Sequence, residues 1–206
     1  GKLLLNSAGL PQGTSTPEKI GDQQATCLLG WTNTFSYNGF SLSFLIDGRF
    51  GGDIFSGTNR MLQANGVAGC TVVDGARNEF VVDGVIANED GSYTQSTISV
   101  TPQQYWSAVA SSSGNLGIGE ANLYSATNIR LRNLSLNYTL PKKVLTGTPL
   151  QRVKLGVSCN NVWMIYSDMN GVDPESVFAT STNATGFENA SSPTSRTFLF
   201  NVTLGF

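Results

Sequence analysis

The side chains that carry most enzyme chemistry are missing from this sequence or scattered through it. There is no histidine, which removes the commonest general base, the Ser–His and Cys–His nucleophile pairs, and the commonest metal ligand. Cys27, Cys70 and Cys159 lack metal-ligand spacing, and three thiols cannot pair completely within one chain. They read as free and structural. No Gly-x-Ser-x-Gly elbow, phosphate-cradling Gly-Lys loop or Cys-x-x-Cys is present. The carboxylates are dispersed, with nothing marking two as an acid–base pair. This inventory predicts no catalytic residue, no metal and no cofactor: the chain is read as a non-enzyme.

What is left is the chemistry of contact. Asp47, Arg49, Lys154 and Asn160 stand on the polar side of alternating runs. There they would either orient a solute in a wet lumen or simply balance charge. Tyr105, Trp106 and Tyr124 lie in or beside a long irregular stretch. Their flat faces suit stacking on a sugar or a covering partner, and suit equally stapling that stretch to itself. Arg130 and Arg132 could pair with phosphates at a membrane edge, face a lumen, or serve structure alone. Asn133, Asn137, Asn183, Asn189 and Asn201 head Asn-x-Ser/Thr triplets. Three of these fall inside predicted strands, so they read as accidents of composition rather than glycan acceptors.

The elements that position these groups are strands. Only 13% of the 206 residues are charged, about half the usual share, which suggests surfaces facing something other than bulk water. The net charge of -2 supplies no field for nucleic acid and no polybasic patch for anionic lipid. No run reaches the eighteen or so apolar residues of a membrane helix, and Gly1 to Leu5 is too short for the apolar core of a signal peptide. Period-two alternation, by contrast, recurs in five segments near 27–37, 40–50, 129–140, 152–163 and 196–206. Each is about as long as a tilted membrane strand. In the first, Cys27, Leu29, Trp31, Phe35 and Tyr37 share a face. In the last, Phe198, Phe200, Val202, Leu204 and Phe206 do. The third changes phase between Ile129–Arg132 and Leu134–Leu140, which predicts a bulge or an exit from the bilayer.

The apolar faces carry aromatics toward the segment ends, and the opposite faces are small and polar. The connections alternate: Asn38-Gly39 and 141–150 are short, whereas 51–127 and 167–195 are long. Outer-membrane barrels have short periplasmic turns and long extracellular loops. The expected fold is therefore all-β: antiparallel transmembrane β-barrel strands with long extracellular loops. Five is odd and too few to close, so the expectation is an incomplete C-terminal portion of a larger barrel. Within the first long loop, Thr101-Pro102-Gln103-Gln104 predicts a capped helix to about Ala110. Residues 80–86 and 92–100 could form a hairpin. The Gly/Ser-rich stretch 111–119 reads as mobile.

Several motifs carry a family resemblance. The run from Arg196 to Phe206 resembles the β-signal that closes outer-membrane proteins, with Phe198, Phe200 and Phe206 as its aromatic positions. Ile129-Arg-Leu-Arg-Asn-Leu-Ser-Leu-Asn-Tyr-Thr-Leu-Pro141, Val157-Ser-Cys-Asn-Asn-Val-Trp163 and Gly171-Val-Asp-Pro-Glu175 resemble the penultimate hairpin of SusC-like (RagA-like) TonB-linked transporters. Asn33-Thr-Phe-Ser-Tyr-Asn-Gly-Phe-Ser-Leu-Ser-Phe44 and Asp47-Gly-Arg-Phe-Gly-Gly-Asp53 are similar to the same family upstream. The resemblance implies a 22-stranded, plugged barrel in the bacterial outer membrane that imports glycans or peptides. It further implies a SusD-like lipoprotein lid, energy from the TonB complex, insertion by the barrel-assembly machinery and outer-membrane lipid around the wall. A passive porin or adhesin barrel and a soluble carbohydrate-binding sandwich are the alternatives.

Overall fold

Alternation of large apolar and small polar residues yields five long strands in the computed structural model, which describes residues 1–111, 117–169 and 171–206. They are β1 (Cys27–Tyr37), β2 (Phe40–Phe50), β3 (Asn128–Thr139), β4 (Arg152–Ser167) and β5 (Thr197–Gly205). All pair antiparallel with their chain neighbours, giving one sheet in the order β1-β2-β3-β4-β5. The short links therefore lie at one end of this sheet and the long links at the other. These strands belong to a compact unit formed by Gln23–Gly52, Ser125–Ser176 and Ser192–Phe206.

Register makes the two faces of the sheet chemically opposite. One row runs Phe35, Leu42, Leu136, Val157, Phe200 across all five strands. The row beside it runs Thr34, Ser43, Ser135, Ser158, Leu199, apolar only at its last member. The apolar face is bare: Phe35 is 57% exposed, Trp163 60% and Phe200 83%. An apolar surface spanning five strands far exceeds the scattered patches of a water-soluble protein, and it is the outward band of a barrel wall. Aromatic pairs stiffen it. Phe40 stacks on Tyr138 at 4.3 Å, and Trp31 meets Phe44 edge-on at 5.3 Å.

Two local features set the register. Asn38 and Gly39 both take positive φ, at 45° and 87°, which matches the right-handed twist of the strands they join. A Cβ on Gly39 would lie 2.7 Å from the Thr139 carbonyl oxygen, so the turn requires glycine. The phase change in β3 is a bulge: pairing with both neighbours skips Arg132. β4 continues to Ser167, past the 163 suggested by alternation, through a matching irregularity at Asn161 with φ 50°.

The second compact unit comprises Gly1–Asp22, Asp53–Tyr124 and Val177–Ser191. The sequence suggested a long loop with local pieces; part of that loop and the Gly1–Asp22 segment share a small core. Leu5, Val82 and Val100 are buried together, with Leu10, Phe80, Ile86, Ile98 and Tyr105 packed around them. The expected hairpin is split into two short ladders, Gly84–Ala87 with Tyr93–Gln95 and Phe80–Val81 with Ser99–Val100. Leu3–Leu5 adds to the first ladder in parallel. Helix α1 (Gly57–Ala64) is capped by Ser56, whose hydroxyl accepts from the Asn59 N–H. Helix α2 (Pro102–Ser111) opens with the reciprocal capping box: Gln104 N–H donates to Thr101 Oγ1 and Thr101 N–H to Gln104 Oε1. Of the Gly/Ser-rich stretch expected to be mobile, 112–116 lies outside the described residues.

Candidate functional site

The polar face of the sheet ends, on the long-link side, in an arginine cluster built by the β3 bulge. Arg130 lies opposite Asp47 in the ladder, and it is Arg132, the extra residue at the bulge, that reaches the Asp47 carboxylate. Arg132 Nε and Nη2 both donate to Asp47 Oδ2, at 2.9 and 2.7 Å. The other side of its guanidinium grips Glu175 through both carboxylate oxygens, with Nη1 to Oε2 at 2.8 Å and Nη2 to Oε1. Nη1 also donates to Asn161 Oδ1 at 3.2 Å. Arg130, only 3% exposed, donates to Asp173 Oδ1 at 2.7 Å and to Thr194 Oγ1. Forked guanidinium–carboxylate pairs of this kind are directional and strong.

Asp173 completes the arrangement. Its carboxylate also accepts from the Glu175 N–H at 3.0 Å, the Thr194 N–H at 2.9 Å and the Thr194 hydroxyl at 2.6 Å. Burial pushes this carboxyl up, but the hydrogen bonds from Thr194, from the two backbone N–H groups and from Arg130 outweigh it and hold the group at about 2. Asn161 Nδ2 ties in the Ser195 carbonyl at 2.9 Å, and Ser176 Oγ the Ser192 carbonyl at 2.9 Å. Both stems of the 168–196 link are thus fastened to β3 and β4. Of the three readings open for Arg130 and Arg132, the structure shows an internal ion-pair clamp.

The four polar candidates separate. Asp47 is held by Arg132. Arg49 Nη2 donates to the Gln23 carbonyl at 2.7 Å. Asn160 Oδ1 accepts from Asn133 Nδ2 at 2.7 Å. Lys154 pairs with Thr139 and Thr203 across the ladders, and its ammonium makes no ion pair among the described residues. The candidates occupy one face of the sheet without converging on one point.

The loop aromatics belong to the second unit. Tyr105 meets Phe80 edge-on at 5.3 Å and Trp106 edge-on at 5.1 Å. Burial, with a smaller push from Cys70, raises its phenol. Tyr105 therefore staples α2 to the core. Tyr124 is half-buried and its phenol is likewise raised by burial, then by Cys70. Trp106 lines cavities beside α2. One buried acid was not singled out from sequence. Glu188, fully buried, accepts from Ser56 Oγ at 3.0 Å, Thr58 N–H at 3.3 Å and Thr58 Oγ1 at the start of α1. Its only sequence signal is a lone acid among Asn, Ala and Ser. Phe198 and Phe200 point from the bare apolar face, and Phe206 is exposed beyond it.

Known proteins resemble this chain in sequence and in fold. Over 212 residues, covering all of this chain and 19% of the relative, the sequence is 25% identical to TonB-dependent receptor P3 of Formosa agariphila. Over 150 residues, 71% of this chain and 13% of the relative, it is 31% identical to TonB-dependent receptor P39 of the same organism. The chain thus spans less than a fifth of the length of these relatives. No protein-family model matches. Among solved structures, the RagAB peptide importer aligns in its closed-closed state with a TM-score of 0.60, covering 95% of this chain and 19% of that one at 16% identity. Its open-open state gives a TM-score of 0.57 over 87% and 17%, also at 16% identity. At that identity the likeness is one of fold.

Proposed function

We propose that this chain, similar in sequence to TonB-dependent receptors and in fold to the RagAB importer, is a SusC/RagA-like segment of a longer parent protein and builds part of the wall and mouth of a nutrient importer in the bacterial outer membrane. The observation that carries this reading is the register of the sheet. A continuous apolar face and a continuous polar face run across all five strands, as a wall between lipid and a wet lumen requires. The cargo is a glycan or an oligopeptide. A SusD-like surface lipoprotein covers the mouth, the TonB complex supplies energy through other parts of the parent, and the barrel-assembly machinery inserts it. On the polar face, Lys154 is the candidate for solute contact, because Asp47, Arg49 and Asn160 are already engaged. Phe198, Phe200 and Phe206 form the assembly signal.

Uptake of labelled oligosaccharides and oligopeptides by cells with and without the parent gene tests this. Uptake should require the gene and should stop when the proton gradient is collapsed by an uncoupler. Gene-dependent uptake that ignores the uncoupler would mark a passive pore instead. A parent that fractionates with soluble protein would overturn the barrel reading.

A further inference from the structure

We propose that the unit formed by Gly1–Asp22, Asp53–Tyr124 and Val177–Ser191 carries a binding site for a neutral saccharide, centred on Trp106. Two hollows, of about 440 and about 500 Å³, share Trp106, Pro102 and Thr71 in their walls. Each falls within the roughly 300–1,000 Å³ range of small-molecule sites. Trp106 is where the two adjoin, and Tyr105, set at 88° to it, fixes the indole plane.

The remaining wall of the first hollow is rich in amides. Gln63 and Asn65 come from the end of α1, and Gln103 from the first turn of α2. Asn122 Nδ2 donates to Gln63 Oε1 at 2.9 Å and holds that amide in place. Asn65 Nδ2 donates to the Met61 carbonyl at 2.8 Å, leaving its oxygen to accept. Gln103 is exposed, and no hydrogen bond engages its amide among the described residues. The second hollow adds Asn78 and the ring of Tyr105.

This inventory selects a ligand class. A sugar hydroxyl both donates and accepts, as an amide does, so rows of amides satisfy hydroxyls without a net charge. An indole offers an apolar face with a polar edge, which suits the C–H face of a pyranose ring. An anionic ligand would call for several cations. The first hollow has Arg77 alone, already donating to the Gly66 carbonyl at 2.6 Å, and the second has the acids Asp74 and Glu79. A peptide held by its backbone would need an unpaired strand edge, whereas here the first hollow is walled by helix ends and side chains. The proposal rests on the importer reading for where the ligand goes, but not for whether it binds.

The test uses the full-length parent, purified in detergent, on an array of neutral α- and β-linked gluco-, manno-, galacto- and xylo-oligosaccharides printed beside tri- to hexapeptides. Retention by at least one neutral oligosaccharide is expected. Trp106→Ala should weaken it about tenfold or more, Gln103→Ala several-fold, and Trp106→Phe much less than Trp106→Ala. Gln103→Ala removes no internal bond, so its loss of binding cannot come from unfolding. The proposal is overturned if no oligosaccharide is retained, if both alanine variants bind like the parent, or if peptides alone are retained. Saccharide binding with uncoupler-insensitive uptake would overturn the importer reading and leave this site standing.

Discussion

Asp173 shows how one carboxylate can fix a loop. It joins Arg130 on β3 to Thr194 and Glu175 on opposite stems of the link. Removing Asp173 leaves Arg130 with Glu175 at 3.7 Å as its remaining carboxylate among the described residues, so the cost falls below the about 3–5 kcal/mol of a fully stranded buried charge. Asp173→Ala should therefore speed amide hydrogen exchange across 171–196 in the detergent-solubilised parent, with little change in β1 and β2. An unchanged exchange pattern would show that the clamp holds nothing. The same group sets a pH dependence. Its folded value of about 2 lies below the ordinary 3.8, so its stabilisation is complete above about pH 4. It is lost as pH falls through 4 toward 2. Loop protection should drop over that window and stay flat from pH 5 to 8 as far as this group is concerned. The sequence marked Asp47, the Arg130/Arg132 pair and the Gly171–Glu175 motif separately, but not their pairing. The partners Asp173 and Thr194 lie 43 and 64 residues from Arg130, in a stretch without periodicity, and no local pattern encodes a pairing across that distance.

At the level of elements, sequence and structure agree where period two is strong. β1, β2 and β5 keep one phase from end to end, and large aromatics mark their faces. The break in β3 was visible as a phase change, and its nature, a bulge at Arg132, needed the register. The short ladders of two to four residues, such as Phe80–Val81 and Gly84–Ala87, fall below the length at which alternation can be recognised. The faces make a sharp prediction. Lys in place of Leu42, Leu155 or Phe200 should cost on the order of 2–4 kcal/mol in barrel stability, against little for Ser158→Asn on the polar face. Urea unfolding of the parent in lipid vesicles measures both, and equal tolerance would refute the lipid-facing assignment. Gly39→Ala should destabilise by about 1–3 kcal/mol, because it adds a Cβ at positive φ against the Thr139 carbonyl. A neutral outcome there would mean that the hairpin can adopt another turn.

For the whole molecule, the alternation of short and long links predicts sidedness. A Cys at Asn183, in the 168–196 link, should react with an impermeant maleimide on intact cells. Reaction only after the outer membrane is opened would invert the topology. Phe206→Asp should sharply lower the amount of parent in the outer membrane without changing its transcript or the transport activity per assembled molecule. Normal abundance with lost uptake would make Phe206 a transport residue. The interleaving of the two units has a temporal consequence. The β1–β2 and β3–β4 hairpins zip together from near neighbours, and the β2–β3 pairing closes across the 53–124 region. The other unit draws on segments farther apart still: Phe55 stacks on Phe187 at 4.8 Å, and Glu188 bonds Ser56 and Thr58 at separations of 132 and 130 residues. Contacts that close such spans carry a large entropic cost and form slowly. The 53–124 region therefore has to wait, unfinished, until 177–191 arrives. In a pulse-chase, resistance to trypsin at Arg77 should lag behind the appearance of the heat-modifiable barrel, and Glu188→Ala should lengthen that lag. On the proposed topology, this lag would leave residues 53–124 open to surface proteases for as long as it lasts.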